Sequence, residues 1–109
     1  MRNSGVFMEY VVRLTERAFR DMRSIYEFIG AEHSETALTW FKELVHGIAT
    51  LKSYPERGTA ITGKRNLRRL LVGEKPNVYR ILYVVDRKNK LVRVLHIRHG
   101  ARKEVPLDD

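Results

Sequence analysis

Arginines and histidines crowd the last third of this chain in a pattern that could handle phosphates. Arg80 lies in Val78-Tyr79-Arg80-Ile81-Leu82-Tyr83, and His96, Arg98, His99 and Arg102 lie in the run from Val94 to Arg102. Guanidinium groups grip phosphate oxygens in paired, charge-assisted hydrogen bonds and can stabilise the extra charge of a phosphoryl transition state. Either histidine could move a proton near neutral pH. The plainer alternative is a solvated basic sheet face with histidines at a strand end, because Glu104 is the one carboxylate close in sequence. A second group, Lys64, Arg65, Arg68 and Arg69, could clamp a nucleic-acid or target backbone, each contact adding to a salt-dependent affinity; otherwise it is a solubilising loop.

Other chemistries find little support. His33 and His46 stand thirteen residues apart, and His96 and His99 have no neighbouring carboxylates, so no metal is expected. The chain has no Gly-rich phosphate loop, no dinucleotide fingerprint and no Ser-His-Asp spacing, and no cofactor is expected. It contains no cysteine, which removes disulfides and thiol chemistry and fits a reducing, cytoplasmic compartment.

The elements that must position these residues follow from the apolar pattern. Glu9 to Leu14 alternates and reads as a first strand. Thr15 caps a helix whose stripe is Ala18, Met22, Ile25, Tyr26 and Ile29, flanked by Phe19, with Gly30 as its stop. Ser34 caps a second helix with the stripe Ala37, Phe41, Leu44, Val45, Ile48 and Leu51, and Pro55 and Gly58 end it. Gly47 inside that helix costs about 1 kcal/mol relative to Ala and points to close packing or a kink. Leu38, Trp40 and Phe41 widen the apolar face; they are either core or a groove for a partner helix.

Residues 59–66 read as a mobile basic loop, Leu67 to Val72 as a strand, and Val78 to Val85 with Leu91 to Arg98 as a hairpin. Its turn is expected at Arg87-Lys88-Asn89, with Asn89 left-handed. Pairing Asp86 with Lys90 then sets Arg80 opposite His96, with Arg98 diagonally beside Arg80. The other face would carry Tyr79, Ile81, Tyr83 and Val85 against Leu91, Leu95 and Ile97. The expected fold is α+β, a helical hairpin packed on a small, mostly antiparallel sheet in the order β-α-α-β-β-β.

With 109 residues, 43% of them hydrophobic and 31% charged, the chain supports one modest core. Residues 1–63 balance eight basic against eight acidic groups, whereas Lys64 to Lys103 holds thirteen basic groups and two acids. Nearly all the net charge of +8 therefore sits on the strand-rich half, which suits a polyanion or an acidic partner that masks the cations. No apolar run approaches the roughly 20 residues of a membrane span, so no membrane partner is expected. The start is too short and polar for a signal peptide. Residues 1–7 are taken as a leader or added residues outside the fold, and residues 8–109 as the single domain.

The strand, helical hairpin and three strands resemble the RelE/ParE superfamily of toxins from type II toxin–antitoxin systems. The resemblance is carried by Leu51-x-x-Tyr54-Pro55-Glu56-Arg57-Gly58, Leu67-Arg68-Arg69-Leu70-Leu71-Val72 and Tyr79-Arg80-Ile81-Leu82-Tyr83. The ending His96-Ile97-Arg98-His99-Gly100-Ala101-Arg102 looks most like the ParE, or plasmid stabilisation, branch, and the likeness runs from about Met8 to Val105. It implies a cytoplasmic toxin that arrests growth when free. It also implies a cognate antitoxin, a small protein encoded by an adjacent gene, wrapping the hairpin and sheet, and operator DNA bound mainly via the antitoxin.

The branches differ in target. RelE-like members cut mRNA on the ribosome without a metal, using basic residues and a late Tyr or His. By that resemblance Arg80 stands where RelE has a transition-state arginine, Arg102 lies near another basic position, and Arg68 and Arg69 stand in for a lysine pair. The late tyrosine falls at Pro106, and His99 could substitute for it. ParE-like members lack the nuclease set and inhibit DNA gyrase. The missing tyrosine favours a ParE-like gyrase inhibitor; a ribosome-dependent endoribonuclease and a non-toxic nucleic-acid-binding module are the alternatives.

Overall fold

A computed structural model describes residues 9–100 of the chain. Residues 1–7, Arg102 and Glu104 lie outside the described residues. The elements run β1 (Val11–Leu14), α1 (Glu16–Phe28), α2 (Glu35–Ala49), a 3-10 turn (Thr50–Lys52), β2 (Thr59–Ala60), β3 (Leu67–Val72), β4 (Tyr79–Asp86) and β5 (Leu91–His99). The strands form one sheet in the order β1-β5-β4-β3-β2. β1 lies parallel to β5, and every other pairing is antiparallel. This is the expected α+β arrangement, with β2 added where a loop is expected.

Local chemistry explains the helices. The hydroxyls of Thr15 and Ser34 accept the backbone N–H groups of Ala18 and Ala37, satisfying donors that a helix start leaves orphaned. Gly30 takes φ +72°, the left-handed conformation that ends a helix cheaply. Gly47 is there for close packing: a Cβ at that position would lie 2.7 Å from a Val72 methyl, so α2 can cross the end of β3 only without a side chain.

Both helices cover one face of the sheet. Ala18, Ile25, Leu44, Ile48 and Leu51 pack there against Leu70, Val72, Tyr79, Ile81, Tyr83, Val85, Val92, Val94 and Ile97. Each large apolar side chain buried this way contributes about 1.5–3 kcal/mol. Val45 and Phe19 lie outside this core and are exposed, 44% and 64% respectively. The other stripe residues are buried or half-buried, so Val45 is the one stripe position that turns to solvent, and Phe19 only flanks the first stripe.

The hairpin differs from expectation in turn and register. Arg87 to Lys90 form a four-residue turn, and Lys90, not Asn89, takes a positive φ of 53°. Asn89 instead donates twice to the Asp86 carboxylate, from its backbone N–H (3.1 Å) and its Nδ2 (2.9 Å). Asp86 therefore pairs with Leu91, and Arg80 with Arg98. Leu82 pairs with His96 while Tyr83 pairs with Val94, so Leu95 is the extra residue of a β-bulge. Val92 and Val94 take the buried places expected for Leu91 and Leu95, and Ile97 keeps its own.

Candidate functional site

The face of the sheet turned away from the helices carries the arginines. Side chains alternate along a strand, so the neighbours of the buried inner residues point outward. From the register these are Val11 and Arg13 on β1, Arg93, His96 and Arg98 on β5, Arg80, Leu82 and Val84 on β4, and Leu67, Arg69 and Leu71 on β3. Leu67, Leu82 and His96 are each at most 8% exposed yet stand outside the helix-packed core. They form a second, thinner apolar layer that supports the guanidiniums around it.

Five arginines thus share one face, and they include two direct cross-strand pairs, Arg80 with Arg98 and Arg13 with Arg93. Arg80 pairs directly with Arg98, Leu71 lies on the other side of Arg80, and Arg69 pairs with Leu82. Leu71 is 55% exposed, an apolar group beside Arg80 on the part of β3 that β2 does not pair. Asp86, at the hairpin end, is the one acid among the described strand residues. Its carboxyl is held below its usual range by the two Asn89 hydrogen bonds, so it stays charged and occupied. The face is a ready counterpart for a surface rich in phosphates or carboxylates.

The two histidines part company. His96 lies on the arginine face, opposite Leu82 and one step from the Arg80–Arg98 pair, and is buried there. His99 pairs with Tyr79 on the helix side, where the two rings meet edge to face at 5.2 Å. Its Nε2 lies 3.4 Å from Asn77 Oδ1. The sheet separates the side chains that the sequence places in one cluster.

The second basic group divides as well. Arg68 points to the helix side and donates to the backbone carbonyls of Glu56 (3.1 Å) and Gly58 (2.6 Å). Tyr83 completes that junction: its hydroxyl donates to the Pro55 carbonyl and accepts the Gly58 N–H, each at 2.8 Å. Burial raises the Tyr83 phenol above its ordinary range, with the Gly58 bond opposing the shift. Arg87 forms an ion pair with Glu56, whose carboxyl is held low first by that hydrogen bond and then by the charge. Arg87 also donates to Asn66 Oδ1 (3.0 Å), tying the 61–66 loop to the hairpin end. Lys64 and Arg65 are therefore exposed beside that end, about 14 Å along β4 from Arg80 at roughly 3.4 Å per residue.

Of the groove candidates, Phe41 packs edge to face on Tyr26 at 5.0 Å and joins the two helices. Trp40 is half-buried and lines an open groove with Thr39, Glu43 and the Gly73–Asn77 turn, while Leu38, two residues earlier on α2 and about 200° around the helix, is half-buried outside that groove. Arg13 and Arg93, partners across β1 and β5, are outer-face residues that sequence reasoning passed over. Both sit at the outward step of an alternating strand, and that position was the available signal. Among the described residues no cluster of three or more His, Asp or Glu could hold a metal, and no helix is long and apolar enough to cross a membrane.

Comparison with known proteins adds to this geometry. A family profile described as the ParE toxin of the type II toxin–antitoxin system parDE matches residues 12–104. Among solved structures, the chain resembles one from the chromosomal ParDE system of P. aeruginosa, with 19% identity, 84% of this chain and 96% of that chain covered, and a TM-score of 0.65. It also resembles a RelBE-type toxin–antitoxin complex from Mycobacterium tuberculosis, at 22% identity, 87% and 95% coverage and a TM-score of 0.61. The intact E. coli RelBE complex matches at 20% identity, 85% and 99% coverage and a TM-score of 0.55. No curated protein matches the chain significantly.

Proposed function

This chain belongs to the ParE toxin family of type II toxin–antitoxin systems, and we propose that, when free, it arrests growth in the cytoplasm by inhibiting DNA gyrase through its arginine-bearing outer face. The observation that carries this choice is the split of the histidines across the sheet. A metal-free nuclease needs a proton-transfer group beside its phosphate-binding arginines. His99 faces the helices, and His96 is buried beneath the arginine layer. What the face offers is charge and shape, the requirements of a docking surface. Arg80, Arg98, Arg69 and Arg102 are the proposed target contacts, with Lys64 and Arg65 extending the charge toward the hairpin end.

The solved relatives from Mycobacterium tuberculosis and E. coli are toxin–antitoxin complexes. By that likeness a cognate antitoxin is the proposed partner here, docking beside Leu38 and Trp40 on α2, and operator DNA is bound mainly through it. One observation favours a second reading, a ribosome-dependent mRNA endoribonuclease: Arg80 and Arg98 are adjacent, with His96 diagonal to them.

Pulsed expression of the full chain separates the two. Growth arrest with loss of gyrase supercoiling and no new RNA 5′ ends supports the gyrase reading. New 5′ ends inside translated codons overturn it in favour of the nuclease. Normal growth overturns both.

A further inference from the structure

The Arg80–Arg98 pair exists because β5 carries one residue more than β4. In a ladder that stayed regular beyond the Tyr83–Val94 pair, His96 would fall opposite Ile81 and Arg98 opposite Tyr79. Both polar side chains would then enter the apolar face beneath the helices. The extra residue, Leu95, switches the phase and returns His96 and Arg98 to the outer face.

A bulge interrupts pairing, so its backbone groups need partners from elsewhere. β1 cannot supply them, because its pairing with β5 stops at Leu14 and Val94. The start of α1 takes over. Thr15 N–H donates to the Val94 carbonyl (3.0 Å), and Thr15 Oγ1 donates to the Leu95 carbonyl (2.8 Å). Asp21 Oδ2 accepts the Ile97 N–H at 2.9 Å. The two side chains bracket His96, and Thr15 Oγ1 still accepts the Ala18 N–H that starts the helix. One hydroxyl therefore links helix capping to strand phase.

We infer that Thr15 and Asp21 are positioning residues for the arginine face, holding the Leu95 bulge so that Arg98 stands beside Arg80. This rests on the outer face being the surface through which the toxin acts. The need at position 21 is an acceptor at the right reach, not a charge. Asparagine meets that need and alanine does not.

The test compares Asp21→Asn with Asp21→Ala in the full chain, with Arg98→Ala as reference. In Asp21→Ala, amide exchange at Ile97 rises about tenfold or more relative to Val92, as loss of its hydrogen-bond acceptor requires. Arrest falls to the level of Arg98→Ala, while Asp21→Asn keeps both readouts close to wild type. Deleting Leu95 in the Asp21→Ala chain makes the ladder regular with Arg98 still opposite Arg80, and arrest returns. A purely structural role for Asp21 predicts no such rescue. Unchanged Ile97 exchange and arrest in Asp21→Ala overturn the inference, as does failure of the deletion to restore arrest. If Asp21→Ala does not fold, a folded double variant supports the clamp and an unfolded one overturns it. Full arrest by a folded Arg98→Ala would instead overturn the outer-face reading, leaving the exchange result to judge the clamp alone.

Discussion

The two faces of this sheet are built from the same strands and obey different rules. On the helix face, Tyr83, Val85, Val92 and Val94 are fully buried, and the polar atoms of Tyr83 meet the backbone of Pro55 and Gly58. On the outer face a thin apolar layer of Leu67, Leu82 and His96 lies under arginines that remain partly exposed. The first face makes the fold stable. The second spends little on stability and presents charge, so substitutions there should separate activity from folding.

That contrast can be broken by experiment. The largest effect is expected at Leu44→Ala on the helix face, which removes a fully buried side chain and costs about 2–5 kcal/mol in denaturant unfolding. A loss under about 1 kcal/mol would show that α2 contributes less packing than its contacts suggest. Tyr83→Phe comes next. It strands the Gly58 N–H and the Pro55 carbonyl for a loss of about 1–3 kcal/mol. The same residue sets an alkaline signature. Its phenol is raised in the folded state, so its contribution is full below the unfolded value near 10 and falls as pH rises through the folded value. Tyr83→Phe should flatten the stability loss above that point; an unchanged alkaline limb would mean that the buried Tyr79 dominates it. Smallest in stability is Arg80→Ala, expected within about 0.5 kcal/mol of wild type, yet with growth arrest relieved. Arrest at wild-type strength in that folded variant would remove Arg80 from the target surface.

Much of the helix face was legible in the sequence, because its signals are periodic and locally reinforced. Thr15 and Ser34 read as caps and act as caps, and Tyr79, Ile81, Tyr83 and Val85 alternate into the core as their spacing requires. The outer face was only partly legible. Arg80, His96 and Arg98 share it as expected, but their pairing depends on one extra residue at Leu95 that leaves no mark in composition. Arg68 and Arg69 look alike and adjoin in sequence, yet alternation sends one to the backbone of the 56–58 turn and the other to the outer surface. β2 is two residues long and carries no period at all.

The parallel pairing of β1 with β5 also makes folding depend on closures between distant parts of the chain. Among the described strands the first has its partner in the last, and the Thr15–Leu95 bond spans 80 residues. Such distant closures fold slowly, and a nascent chain without them leaves an unpaired edge and an uncovered helix face. Until β5 emerges, Arg98 does not exist beside Arg80 and α1 has nothing to clamp. The adjacent arginines of the outer face are therefore a product of long-range closure, absent from any stretch of chain that lacks β5.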